Sequence, residues 1–333
     1  MAAQQNDVVT LRDVAAAAGV SISTVSRVLD SKIAHSAHGD RIRAVAEELG
    51  YRPNRAASAL RRGETGTIGV LVPRLSDAVM ALMYESIAAA CERQGRFAIV
   101  ATAGDSEEGE RHAAETLLAR GVDGLMLASA RIDDPLVRSL RSRRIRHALV
   151  LRSDGVSPAS VGDDELGGYL AVRHLLDLGH REIAIVTGPL YTTSARDRLA
   201  GAKRALGEAD VVPLIAETDD YRIPSGERAA SGWLDGSRRP TAVFAANDDL
   251  AIGVLAASHR AGVEAGRDYA LVGYNDIPIA ARLPVPLTSV RTNFEQIAVA
   301  GLELLSSDFE EGAVRTSMPT LMPRSSSMRA SRG

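Results

Sequence analysis

From Thr67 onward the chain alternates short apolar runs with segments of helical period, and that alternation admits few folds. Thr67-Ile-Gly-Val-Leu-Val72 reads as a buried strand, followed by a helix over Met80–Arg93. Phe97–Thr102 and a helix over Glu107–Arg120 come next, then strands Gly124–Ala128 and Ala148–Leu151. A second series follows: Glu182–Thr187, a helix over Ala195–Leu206, then strands Val211–Ile215, Ala242–Ala246 and Tyr269–Gly273. Strands that alternate with helices build parallel sheets wound by right-handed crossovers. Two series imply two α/β lobes. Ligands of such sheets bind beyond the carboxyl ends of the strands, so polar residues there should converge on a cleft between the lobes.

The first 63 residues follow another pattern and are all-α. Thr10 precedes Leu11, Val14, Ala15 and Ala18 at helical spacing, with Asp13 placed to complete a capping box and Gly19 to end the helix. Ser21 caps a second helix, Ile22–Leu29, that turns Val25, Val28 and Leu29 to one side. Two short helices joined by a tight glycine turn are the helix-turn-helix pattern, whose second helix enters the major groove of DNA. Its outer face carries Ile22, Ser23, Ser26 and Arg27. Arg27 can pair with a guanine edge or reach a phosphate, Ser23 can bond either base type, and Ile22 fits a thymine methyl. A third helix spans Arg41–Gly50. Asn54 can cap a further short helix whose only large apolar residue is Leu60, so it should fold only against a partner. Charge is split accordingly. Residues 1–63 hold nine Arg or Lys against six Asp or Glu, while the whole chain has net charge −3. A basic head on an acidic body favours a polyanionic partner.

Thr10-Leu-x-Asp-Val-Ala-x-x-Ala-Gly-Val-Ser-x-x-Thr-Val-Ser-Arg-Val-Leu29, followed by Glu48-Leu-Gly-Tyr-Arg-Pro-Asn54, resembles the signature of the lactose/galactose repressor (LacI/GalR) family, and the resemblance extends over about residues 9–327. It implies a helix-turn-helix head, a hinge helix over residues 54–62 and a periplasmic-binding-protein-like body. DNA contacts would come from Thr10, Ser21, Ile22, Ser23, Thr24, Ser26 and Arg27. In the hinge they would come from Asn54, Arg55, Ala57, Leu60 and Arg61, with Leu60 wedged into the minor groove. Between Leu29 and Arg41 the chain departs from the family: Gly39 stands where a phosphate-contacting Arg is common.

The body carries further family motifs. Gly188-Pro-Leu-Tyr-Thr-Thr-Ser194-Ala-Arg-Asp-Arg198 matches an effector loop, Ala245-Ala-Asn247-Asp248 a second motif and Val272-Gly-Tyr-Asn275-Asp276 a third. The resemblance places Ser194, Arg198, Asn247, Asn275 and the aromatic Tyr221 around a small-molecule effector. Three positions deviate. Asp77-Ala-Val79-Met80 lacks the aromatic pair that would form a sugar platform. Arg152 stands where an Asp usually accepts sugar hydroxyls, and Asn275 replaces another Asp. Exchanging two carboxylates for a cation and an amide favours an acceptor-rich or anionic effector, such as a sugar acid or sugar phosphate. The bland alternative has Arg152 turned outward onto a surface carboxylate.

The expected organisation is a DNA-binding domain over 1–52, a hinge over 53–63, and a body over 64–327. The body divides into lobes of 64–162 with 291–318 and 163–290 with 319–327, before a disordered tail at 328–333. The expected activity is that of a transcriptional regulator, a repressor in the first instance, acting as a homodimer on pseudo-palindromic double-stranded operator DNA. A solute-binding protein or an α/β enzyme of a sugar pathway are the alternatives. No secretory signal and no membrane span is expected, which fits a cytoplasmic, nucleoid-associated protein. No dinucleotide-binding glycine fingerprint, phosphate-binding P-loop or nucleophile elbow is present. Cys91 is the single cysteine and reads as a small buried hydrophobe, and His35 and His38 as solvated, so no cofactor and no metal is expected.

Overall fold

The computed structural model describes residues 9–30, 37–51, 64–234, 239–307 and 312–328. The chain divides into two compact units, Met1–Thr65 and Gly66–Gly333.

The first unit contains α1 (Leu11–Ala18), α2 (Ile22–Asp30) and α3 (Ala37–Glu48). The Asp13 carboxylate accepts hydrogen bonds from the Thr10 amide and hydroxyl, which starts α1. Gly19 adopts φ 66°, and Val20 N–H closes on Ala15 O, which ends the helix in a left-handed cap. Val14, Ala15, Ala18, Val25, Ile42 and Ala46 form the core. α3 starts four residues before the expected Arg41. Asp40 lies in its first turn, where a negative charge suits the helix dipole, and binds Arg43 at 3.0 Å. The hinge positions Asn54, Arg55, Ala57, Leu60 and Arg61 lie outside the described residues.

The second unit holds two six-stranded sheets. The first has order β11-β5-β4-β3-β1-β2 and is parallel throughout. It comprises β1 (Thr67–Val72), β2 (Phe97–Thr102), β3 (Gly124–Leu127), β4 (His147–Val150), β5 (Ala159–Gly162) and β11 (Val314–Ser317). The second has order β12-β10-β9-β8-β6-β7, with β6 (Ile183–Thr187), β7 (Leu214–Glu217), β8 (Ala242–Ala245), β9 (Ala270–Asn275) and β10 (Thr288–Arg291) parallel. β12 (Thr320–Met322) closes its edge antiparallel to β10. The chain passes between the sheets after β5, after β10 and after β11, so three segments join the lobes.

Each sheet is covered on both faces, as parallel sheets require. On the first, α4 (Ala78–Arg93) and α11 (Phe294–Ser306) bury Met83, Ile87, Cys91 and Leu302, while α5 (Glu107–Ala119) and α6 (Pro135–Ser142) bury Leu117 and Leu140 opposite. On the second, α9 (Ile223–Leu234) and α10 (Asp248–Arg260) cover one face, α7 (Asp164–Asp177) and α8 (Thr193–Gly207) the other. The α7–α8 contact is backbone on backbone. A Cβ on Gly168 would stand 2.0 Å from the Arg198 carbonyl oxygen, and one on Gly201 1.8 Å from that of Glu165.

Several boundaries move from those expected. Val211–Pro213 is not strand: Val211 N–H closes on Leu206 O as part of the end of α8, Val212 is 92% exposed, and β7 begins at Leu214. β10 runs to Arg291, so the return to the first lobe falls one residue later than placed. β12 stops at Met322. Beyond it Ser326 bonds the backbone of Leu271 and Thr288, pinning a turn in which Ser326 and Ser327 are buried. Of the tail, Met328 is described and exposed, and residues 329–333 lie outside the described set.

Candidate effector cleft and DNA-binding face

The cleft is assembled from strand ends, each followed by a helix start whose unpaired N–H groups recruit a polar side chain. After β1, Asp77 caps α4 by accepting from Val79 and Met80 N–H at 2.9 and 3.3 Å. After β8, Asn247 caps α10, accepting from Leu250 N–H at 2.8 Å and donating to Tyr221 O at 3.1 Å. Tyr221 follows β7, and its hydroxyl bonds Thr192 and Ser194 at 3.0 and 3.2 Å. Asn275 ends β9 at φ 98° and donates to the Thr292 hydroxyl at 3.0 Å.

Two arginines of this floor are buried. Arg198 is tightly held: Nε donates to Asp164 at 2.8 Å, a second nitrogen to Ala246 O at 2.6 Å, and its Cζ lies 3.7 Å from the Tyr274 ring centroid. Burial disfavours its charge, yet Asp164 and Tyr274 outweigh that and hold its pKa above the ordinary arginine value. Arg152 differs. Its side chain turns inward, 9% exposed, donating to Ser129 O at 3.2 Å and standing 5.8 Å from the Tyr221 ring centroid. It forms no ion pair with a carboxylate among the described residues. The outward-turned alternative for Arg152 is therefore not what the fold adopts.

All nine residues expected at the effector site line one small hollow, together with Leu151: Asp77, Val79, Met80, Arg152, Ser194, Arg198, Tyr221, Asn247 and Asn275. The hollow shares Asp77, Met80, Arg152 and Tyr221 with a cavity of about 370 Å³, within the size range of small-ligand sites. The larger cavity brings in residues that sequence reasoning missed, among them Asp105, Glu110, Ser129, Arg131, Arg222 and Asp249. Asp249 had a visible signal in Asn247-Asp248-Asp249 directly after a strand. Glu110, one turn inside a helix, had none.

The cavity's carboxyls are perturbed. Burial pushes Glu110 up to about 7, helped by the negative charge of Asp134 and opposed by Arg131 and Arg152. Burial and Asp77 raise Asp249 to about 6, and burial raises Asp77. Asp77 belongs to the first lobe and Asp249 to the second, so like charges meet across the cleft. Among the described residues, no cluster of three His, Cys, Asp or Glu side chains is placed to hold a metal ion.

In the first unit, Ile22, Ser23 and Arg27 project from α2 into solvent, Ile22 at 45% exposure. Ser21 accepts from Thr24 N–H at 3.2 Å, and its hydroxyl bonds those of Ser23 and Thr24. Ser26 is half-buried. Thr10 is held by Asp13. α2 thus offers a solvated face carrying an apolar contact, a hydroxyl and a guanidinium.

Comparison with known proteins agrees with both halves. Residues 10–54 match bacterial regulatory proteins of the lacI family, and residues 172–327 match the periplasmic binding protein-like domain. The ribose operon repressor of Escherichia coli (strain K12) is 33% identical over 304 residues, covering 89% of this chain and 92% of that protein. The HTH-type transcriptional repressor PurR of Vibrio atlanticus (strain LGP32) is 29% identical over 307 residues, covering 89% and 90%. The lac repressor dimer bound to operator and the anti-inducer ONPF superposes with TM-score 0.82 at 27% identity, covering 96% of this chain and 99% of that one. A two-lobed α/β body preceded by a helix-turn-helix defines a DNA-binding transcriptional regulator rather than an enzyme. The chain belongs to the lacI family of bacterial regulatory proteins.

Proposed function

We propose that this regulator is a cytoplasmic, nucleoid-associated repressor, a homodimer on a pseudo-palindromic operator, controlled by a polyhydroxylated metabolite that carries one anionic group. The observation that carries the ligand reading is Arg152: buried in the cleft floor, bonded to a backbone carbonyl and in no ion pair among the described residues. An anion delivered to it gains a charge-assisted, two-pronged hydrogen bond in a desolvated site. Asp77 and Asp249 stand ready to accept the hydroxyls of the same ligand. Arg198 organises the floor through Asp164 rather than meeting the anion first. Dimeric operator binding draws support from the lac repressor complex, and a sugar-derived effector from the ribose operon repressor. Ligand closure would shift the lobes and reach the DNA through residues 53–63, at a coupling of about 1–3 kcal/mol.

A thermal-shift screen against neutral sugars, sugar acids and sugar phosphates tests the ligand class. A ligand at 100 times its Kd adds about 2.7 kcal/mol of stability. Stabilisation by anionic ligands, lost in Arg152→Gln, is the expected result. Stabilisation by ribose or another neutral sugar alone overturns the anionic reading.

A further inference from the structure

Glu110 is a carboxyl that the family resemblance did not point to. It lies in the first turns of α5, 3% exposed, and lines the same cavity as Arg152. The two share a neighbour: Ser129 lines the same cavity, its carbonyl receives the Arg152 guanidinium at 3.2 Å, and its side chain, like Arg152, opposes the rise of the Glu110 pKa. A ligand anion seated on Arg152 therefore lies in the cavity whose wall Glu110 helps to form. Were Glu110 ionised, the two negative charges would repel in a site that water screens poorly. As a neutral acid it has a proton to donate.

We propose that Glu110 is a ligand-contacting residue that acts as a neutral carboxylic acid, donating a hydrogen bond to the anionic group held by Arg152, so that effector binding takes up a proton. The proposal rests on the anionic reading of the cleft and adds its regulation by pH. No bond is broken: the proton comes from solvent onto a Glu110 carboxylate oxygen and is shared with the ligand oxygen.

The surrounding charges support that role. Asp134 caps α6 and accepts from Leu136, Val137 and Arg131 N–H, which fixes a negative charge near Glu110. With burial, it pushes Glu110 up to about 7. Arg131 and Arg152 oppose the shift without cancelling it. The other charges on the cavity wall have partners or act in the opposite sense. Asp105 is engaged by Arg74 and Arg222. Asp77 and Asp249 would accept hydroxyls, and ligand contact there favours their ionised forms, which releases protons rather than taking them up. Other groups on α5, including His112, lie on its exposed side.

The test uses the full-length protein with D-gluconate, D-glucuronate and D-ribonate, acids that stay ionised across the range, and ribose as the neutral control. Calorimetric titration at pH 6, 7 and 8, in two buffers of different ionisation enthalpy, reads affinity and proton uptake together. For a group titrating near 7, affinity should fall roughly tenfold from pH 6 to pH 8, with about half a proton taken up at pH 7. Glu110→Gln keeps a neutral donor and should bind with near wild-type pH 6 affinity but a flattened pH profile. Glu110→Ala should lose affinity at every pH. Acid binding with the same pH profile in wild type and Glu110→Gln overturns the proposal and leaves the anionic reading standing. Binding of ribose with no acid bound at any pH overturns both. Thermal unfolding of each variant verifies that the fold survives.

Discussion

Arg222 in the second lobe donates to the carboxylate of Asp105 in the first at 2.7 Å, closing an ion pair across the mouth of the cleft. Arg74 pairs with the same carboxylate from within the first lobe. Beside them Ile132 N–H bonds Tyr191 O at 3.0 Å, and Arg131 stands 5.0 Å from the Tyr191 ring centroid. The lobes are thus latched at the rim as well as joined behind the floor. Both partners of the Arg222 pair are about half exposed, and such pairs contribute about 0–1 kcal/mol. Asp105→Asn should therefore change the unfolding midpoint little while speeding effector release several-fold. Stopped-flow release kinetics check this, and an unchanged off-rate would remove the latch.

Arg198 and Asp164 form a buried pair, and removing one partner strands the other. Arg198→Ala should cost the body about 3–5 kcal/mol, because Asp164 is left desolvated without its counter-ion. Urea unfolding followed by circular dichroism measures it. A loss below about 1 kcal/mol would show that the pair is structurally dispensable. The same result explains why Arg152 is the better probe of the effector: its removal leaves no buried carboxylate without its ion-pair partner.

Asp248 makes the body's stability depend on pH. It is buried at the start of α10, accepting from Ile277 N–H at 2.8 Å and the Ser289 hydroxyl at 2.6 Å. Burial pushes it up to about 7 against those hydrogen bonds, with Asp276 and Asp249 adding to the rise. An unfolded Asp titrates near ~4, so between these values the folded state holds a proton that the unfolded chain has released. Stability from this group is complete below about pH 4 and is lost as pH rises towards 7. Unfolding free energies at pH 5, 6, 7 and 8 should fall with pH in the wild type. The fall should be shallower in Asp248→Asn, and parallel profiles would refute the assignment.

On the head, Arg27→Ala should weaken operator binding by about 1–3 kcal/mol and relax preference at one base pair, without altering unfolding of the body. Leu60→Ala, at a position outside the described residues, should weaken operator binding strongly and leave effector affinity unchanged. Gel-shift titrations against the operator and point-mutated operators check both. Operator affinity that is indifferent to Arg27 would mean that α2 reads no base there.

Much of this was legible in the sequence because strand periodicity and helix caps are local. Asp77, Asn247 and Asn275 each stand at the end of an apolar run, and the fold brings those ends to one place. What pairs with them was not legible. Arg198 and Asp164 are thirty-four positions apart and meet because α7 and α8 touch through Gly168 and Gly201. The raised pKa of Glu110 owes part of its rise to Asp134 at the start of α6, a tertiary fact with no periodic trace. Val211–Pro213 looked like strand because two valines precede a proline. Their backbone instead completes a helix end, where the hydrogen bond back to Leu206 outcompetes sheet pairing.

The number of strands of chain joining the parts has a consequence for ancestry. The head is tied to the body by one continuous segment, so a single recombination joint can give an old body a new operator. The two lobes are stitched together three times, after β5, β10 and β11, and exchanging one of them intact needs three simultaneous joints. Such connectivity lets a chain of this kind change the DNA it reads by gene fusion, whereas the metabolite it answers is more readily retuned by substitutions along the cleft wall.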